Sequence, residues 1–188
     1  MRALTFALVS LAFPFAQAAD DVAVEARRRE DALEVVCTAT VSAPADLVWQ
    51  TLTDYNRLAE FIPGLRRSRV VGQRDGMLVI EQSGEATFLF MSIPVEVTLL
   101  TRERPPYAID VSLEKGSLRR LEGSYRIEPL AAGRVLLSWR GLVEAVSLPP
   151  LLGEMLMRAS IEDQFRGMVR EIERRETVRR ATRGGEAR

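Results

Sequence analysis

The chain has 188 residues, enough for one domain with its own core, and 47% hydrophobic with 28% charged residues excludes wholesale disorder. Lys+Arg and Asp+Glu both count 26, so no net field draws the protein to nucleic acid or to an anionic lipid surface. The absence of histidine and the single cysteine, Cys37, exclude imidazole catalysis, His-ligated zinc and an intrachain disulfide.

Taken in chain order, the first signal is one of export. Met1-Arg2, the apolar run Ala3 to Phe15 and the small-x-small triplet Ala16-Gln17-Ala18 predict a signal peptide over residues 1–18, cleaved to leave Ala19. The run is shorter than the about 20 residues that cross about 30 Å of hydrocarbon. The expected location is therefore periplasmic or secreted. Residues 19–32 are charged and aperiodic (Glu25, Arg27, Arg28, Arg29, Glu30, Asp31) and are expected to form a lead-in or the edge of a first strand. Leu33, Val35, Cys37, Ala39 and Val41 alternate, which predicts a strand with Cys37 as an inert core thiol.

Ser42-Ala43-Pro44 and Asp46 mark a helix start, and Ala45, Val48, Trp49 and Leu52 recur at the spacing of one helix face. A second short helix is expected over Arg57 to Phe61, ending at Pro63-Gly64. The period then switches to two. Strands are predicted at Ser68–Arg74, Met77–Thr87, Phe90–Glu103, Tyr107–Leu113, Leu118–Pro129 and Arg134–Glu144, separated by Asp75-Gly76, Pro105-Pro106, Lys115-Gly116 and Ala132-Gly133. Each has one apolar face, as an antiparallel sheet covered on one side requires. The cover is a long helix from Pro149-Pro150 to about Arg175, with Met157, Ile161, Phe165, Met168 and Ile172 as its stripe. Residues 176–188 are expected to be a flexible charged tail. The fold class is thus α+β: a curved seven-stranded antiparallel sheet wrapped around a C-terminal helix, with two short helices after the first strand.

The residues Val41, Ala43-Pro44, Val48-Trp49, Leu52, Asp54-Tyr55, Leu58, Phe61, Pro63, Ser68 and Val70, at these spacings, resemble the opening of the START-like (SRPBCC, helix-grip) superfamily. Within it they look most like the polyketide cyclase/dehydrase branch that includes the coenzyme Q-binding Coq10 proteins. The order of elements matches over Leu33 to Arg175. That resemblance implies a domain over residues 33–175 with an internal apolar cavity for lipids, isoprenoid quinones, sterols or polyketides. One departure stands out: Coq10-type proteins are usually intracellular or mitochondrial, whereas an export signal is predicted for this chain.

On that frame, Met91, Leu99, Ile109, Tyr125, Trp139, Met157, Ile161, Phe165 and Met168 are expected to line the space between sheet and helix, either as a filled core or as a cavity wall. Tyr55 and Phe61 fall near the expected mouth, where they either gate it or pack. Arg119 shares strand parity with Leu121, Gly123 and Tyr125. It points inward if alternation holds and lies in solvent beside Arg120 if alternation breaks after Gly116. Glu81 and Glu85 share one strand face and are expected to look outward.

The function these readings favour is an exported carrier that shields a hydrophobic small molecule or lipid from water, with transient membrane contact and no nucleic acid. The chain is expected to be a monomer without cofactor or metal. Two alternatives stand beside it. One is an aromatase/cyclase-type enzyme on a polyketide-like substrate, with Arg119 and Tyr125 as its polar groups, though no motif supports catalysis. The other is a periplasmic protein–protein interaction module using the Arg/Glu face of the last helix.

Overall fold

A computed structural model describes residues 22–88, 91–145 and 150–186. The predicted signal peptide lies outside the described residues. The elements in chain order are β1 (Ala23–Arg29), β2 (Ala32–Val41), α1 (Ala45–Leu52), a 3₁₀ turn (Tyr55–Glu60), β3 (Leu65–Arg74), β4 (Met77–Phe88), β5 (Met91–Arg104), β6 (Ala108–Gly116), β7 (Leu118–Pro129), β8 (Val135–Ala145) and α2 (Pro150–Glu186), with a short 3₁₀ turn at Ala131–Gly133. The strands form one eight-stranded antiparallel sheet in the order β1-β2-β8-β7-β6-β5-β4-β3.

Eight strands replace the expected seven. The extra one, β1, arises where the charged run left a lead-in or the edge of a first strand open. It pairs with β2 from Ala23↔Thr38 to Arg29↔Ala32 through a tight turn in which Glu30 adopts φ 54°. As an edge strand it gains backbone hydrogen bonds along one side only, and Val24 and Ala26 alternate against the core for too short a stretch, among mostly exposed side chains, to stand out from the charged run. The long helix departs in the other direction: it runs on past Arg175 to Glu186. Glu176 is buried there, Arg180 Nη2 donates to the Ser42 carbonyl at 3.1 Å, and Arg179 lies 3.9 Å from Asp46. Residues beyond Arg175 therefore pack against the start of α1 as helix.

The concave face of the sheet carries the core. Along β2, Leu33, Val35, Cys37, Ala39 and Val41 are all buried, as alternation requires. Val135, Leu137, Trp139 and Val143 do the same on β8. Leu156, Met157, Phe165, Met168, Val169 and Ile172 of α2 press into that face. The α1 face is rotated from its expected position: Leu47, Val48, Thr51 and Leu52 are buried, while Trp49 is only partly so. Thr51 can be buried because its hydroxyl donates to the Leu47 carbonyl at 2.8 Å. Gly167 lets α2 approach the segment after the 3₁₀ turn, since a Cβ there would sit 2.4 Å from Pro63 Cδ. The backbone at Phe61–Pro63 is thus pinned directly against the helix.

Candidate functional site

The sheet and α2 do not close completely. Between them lies a cavity of about 210 Å³, walled by the concave faces of β4 to β8, by the 3₁₀ turn and by one side of α2. Leu99, Ile109, Tyr125, Trp139, Met157, Ile161, Phe165 and Met168 all line it, and so does Tyr55 from the 3₁₀ turn. Met91 opens β5, opposite Phe88, and the structure describes only its backbone. Sequence reading missed several wall residues, among them Val97, Val111, Leu118, Leu121 and Gln82. Val97 and Leu121 carried the alternation signal but were not singled out from their strands.

Two expected site residues fall elsewhere. Arg119 is exposed and pairs with Glu144 at 3.3 Å. A bulge between Leu118 and Arg120 causes this, because it resets the alternation: Leu118 and Leu121 both reach the cavity although they are three residues apart. Arg119 therefore joins Arg120 on the solvent side. Phe61 is partly buried against the core but does not border the cavity; its ring carries the Arg175 guanidinium 5.3 Å from the centroid. Arg175 in turn binds Asp54 at 2.8 Å and Glu171 at 2.7 Å. Phe61 thus belongs to a clasp between α2 and the segment after α1.

The polar groups of the wall sort into those already partnered and those that are not. Tyr55 is buried, and its hydroxyl donates to Glu103 Oε1 at 2.9 Å. Burial and that bond together push its phenol pKa far up, so it stays protonated. Gln82 donates to Ser68 at 3.2 Å, and Gln164 donates to Ser160 at 3.2 Å. Glu85 is the one charged residue among the described lining. It accepts from Ser92 at 2.6 Å and from Arg66 at 2.9 Å, and these two hold it below the usual carboxylate range. Tyr125 and Trp139 face each other across β7 and β8, ring centroids 6.4 Å apart, and neither makes a side-chain hydrogen bond to another described group. Burial raises the Tyr125 phenol as well. Cys37, fully buried, is pushed up to about 12 and is no nucleophile at neutral pH.

The lining can enclose an apolar body and hydrogen-bond it at a few points. No group of three or more metal-ligating side chains occurs among the described residues. Solved structures share the architecture. An aromatase/cyclase, Zhui, from Streptomyces sp. R1128 superposes with a TM-score of 0.63 at 22% identity, covering 76% of this chain and 94% of that one. A STAR-related lipid transfer protein from Xanthomonas axonopodis gives 0.64 at 17%, covering 84% and 96%. A START superfamily protein from Mycobacterium smegmatis gives 0.63 at 17%, covering 75% and 97%. At such identities these likenesses speak for the fold alone. Among curated proteins, no sequence matches the chain. The family profile described as "Polyketide cyclase / dehydrase and lipid transport" matches residues 41–173, from the last residue of β2 to well inside α2. The chain belongs to that family.

Proposed function

We propose that this protein is an exported carrier that holds a hydrophobic small molecule between its sheet and α2. The observation that carries the reading is the unfilled apolar space itself, ringed by Leu99, Ile109, Met157, Ile161, Phe165 and Met168. A void lined by aliphatic and thioether groups forfeits packing energy on every wall unless something apolar occupies it. Burial stabilises such an occupant by about 25 cal/mol per Å² of apolar surface removed from water. Residues 1–18 supply the export signal in this proposal, and the Coq10-like motif adds isoprenoid quinones to the classes of occupant.

The test is to express the full chain with its leader, recover the envelope fraction, and identify bound material by mass spectrometry of an organic extract. A carrier yields a stoichiometric apolar molecule and a mature N terminus at Ala19. A protein that stays in the cytoplasm with Met1 retained defeats the export half. A clean extract, together with no uptake of lipids offered to the purified protein, defeats the carrier half.

Aromatase/cyclase chemistry is the second reading, favoured by the unpartnered Tyr125 hydroxyl in the wall. It calls for a base that titrates near neutrality, and the chain has no histidine to serve as one. Conversion of a polyketone by the purified protein, lost in Tyr125→Phe, would establish it over the carrier.

A further inference from the structure

Trp139 is oriented by two glycines. Gly123 and Gly141 are direct partners across β7 and β8, two residue pairs along from Tyr125↔Trp139 and so on the same face. A Cβ on Gly141 would sit 2.2 Å from Trp139 Cη2 and 2.3 Å from Cζ2; one on Gly123 would sit 3.0 Å from Cζ2. The indole therefore lies down over two positions that have no side chain, against the sheet backbone. Any larger residue at Gly141 would push the ring out of this place. Lying flat, the ring floors the cavity instead of filling it.

Trp139 is only 8% exposed, yet no buried side-chain nitrogen or oxygen among the described residues lacks both a partner and open space around it. Its indole N–H has no partner, so it keeps open space, and the same holds for the Tyr125 hydroxyl. An indole N–H can only donate, while a phenol donates or accepts. Two donors on neighbouring strands call for an acceptor. The described lining holds no Arg or Lys, so a carboxylate or phosphate at this floor would be buried without a counter-charge.

We propose that Tyr125 and Trp139 form a two-donor subsite for the oxygen of a neutral carbonyl compound, a ketone, quinone or ester, with Gly123 and Gly141 holding the indole in place. The proposal rests on the carrier reading and narrows it from any apolar molecule to one whose buried end carries an acceptor oxygen. A cavity of about 210 Å³ suits a ring system or the head group of a longer molecule.

The experiment compares two fluorescent probes on the full chain: 6-propionyl-2-dimethylaminonaphthalene, a neutral ketone whose emission reddens when its carbonyl is hydrogen-bonded, and its 6-propyl analogue without the oxygen. The wild type is expected to bind the ketone more tightly, with hydrogen-bonded emission. Tyr125→Phe and Trp139→Phe should each weaken ketone binding about three- to tenfold, the worth of one neutral hydrogen bond, and leave the propyl analogue unchanged. Gly141→Ala should abolish the preference by displacing the indole. Tyr125→Phe keeps the ring and its packing, so it reads the hydroxyl even if Trp139→Phe fails to fold. Equal binding of both probes to wild type and Tyr125→Phe overturns the subsite and leaves the carrier standing. Binding of neither probe overturns both.

Discussion

Glu171 shows how a charged residue becomes part of the packing. It is 8% exposed on α2 and accepts from Arg174 at 2.6 Å and Arg175 at 2.7 Å, while Arg175 extends the chain to Asp54 and covers Phe61. The Arg174 bond first, and then Arg175, lower its pKa from an ordinary 4.5 to about 2, against the opposing pull of burial. A depressed carboxylate stabilises the fold fully above its unfolded pKa and loses that contribution as pH falls through its folded one. Stability should therefore drop as pH falls from 4.5 towards about 2. Glu171→Gln should start lower at neutral pH and lose less across that window. Urea midpoints measured for both proteins from about pH 6 to about pH 2 check this, and parallel curves would remove Glu171 from the account. The two cavity tyrosines make the complementary point. Tyr55 spends its hydroxyl on Glu103 and ties the 3₁₀ turn to β5, whereas Tyr125 keeps its own free, although composition treats them alike.

At the scale of the element, one bulge decides the face of half a strand. From Leu121 through Ile127 β7 alternates as its sequence predicts, and the odd-numbered residues face the core. Extending that parity back to Arg119 fails because the backbone slips between Leu118 and Arg120. Arg119→Ala should then change affinity for any cavity ligand by less than about twofold, since it removes only an exposed pair worth about 0–1 kcal/mol. Titration of the same fluorescent ketone against both proteins reads this directly; a large loss would put the guanidinium inside. The end of α2 makes a second case. Its Arg- and Glu-rich sequence reads as a solvated tail, yet Glu176 is buried between Arg179 and Arg180, which reach Asp46 and Ser42. Truncation after Arg175 should lower stability by about 1 kcal/mol, or about 2–4 °C in Tm for a chain of this size. An unchanged melting curve would return those residues to the tail.

Across the whole molecule, the hydrophobic pattern serves two ends at once. The residues that glue sheet to helix are also the wall of the space they leave. Ile161→Trp, on the α2 wall of the cavity, should occupy that space, abolish retention of apolar material in the extract and leave the circular dichroism spectrum intact. Retention undiminished in that variant would locate the ligand elsewhere. Much of this was legible beforehand. Alternation in Leu33–Val41 and in β8, and the four-four-three-four spacing of Met157 to Ile172, depend on local geometry that any strand or helix shares, so the α+β class, the antiparallel sheet, the gripping helix and part of the wall follow from the chain alone. Other features depend on partners distant in sequence. β1 is a strand because β2 offers it an edge, the α2 terminus stays helical because α1 meets its charges, and Arg119 faces water because of a register slip. Whether the core is full or hollow also waits on the fold, because volume left between two surfaces depends on how they meet and on where Gly123 and Gly141 let Trp139 lie.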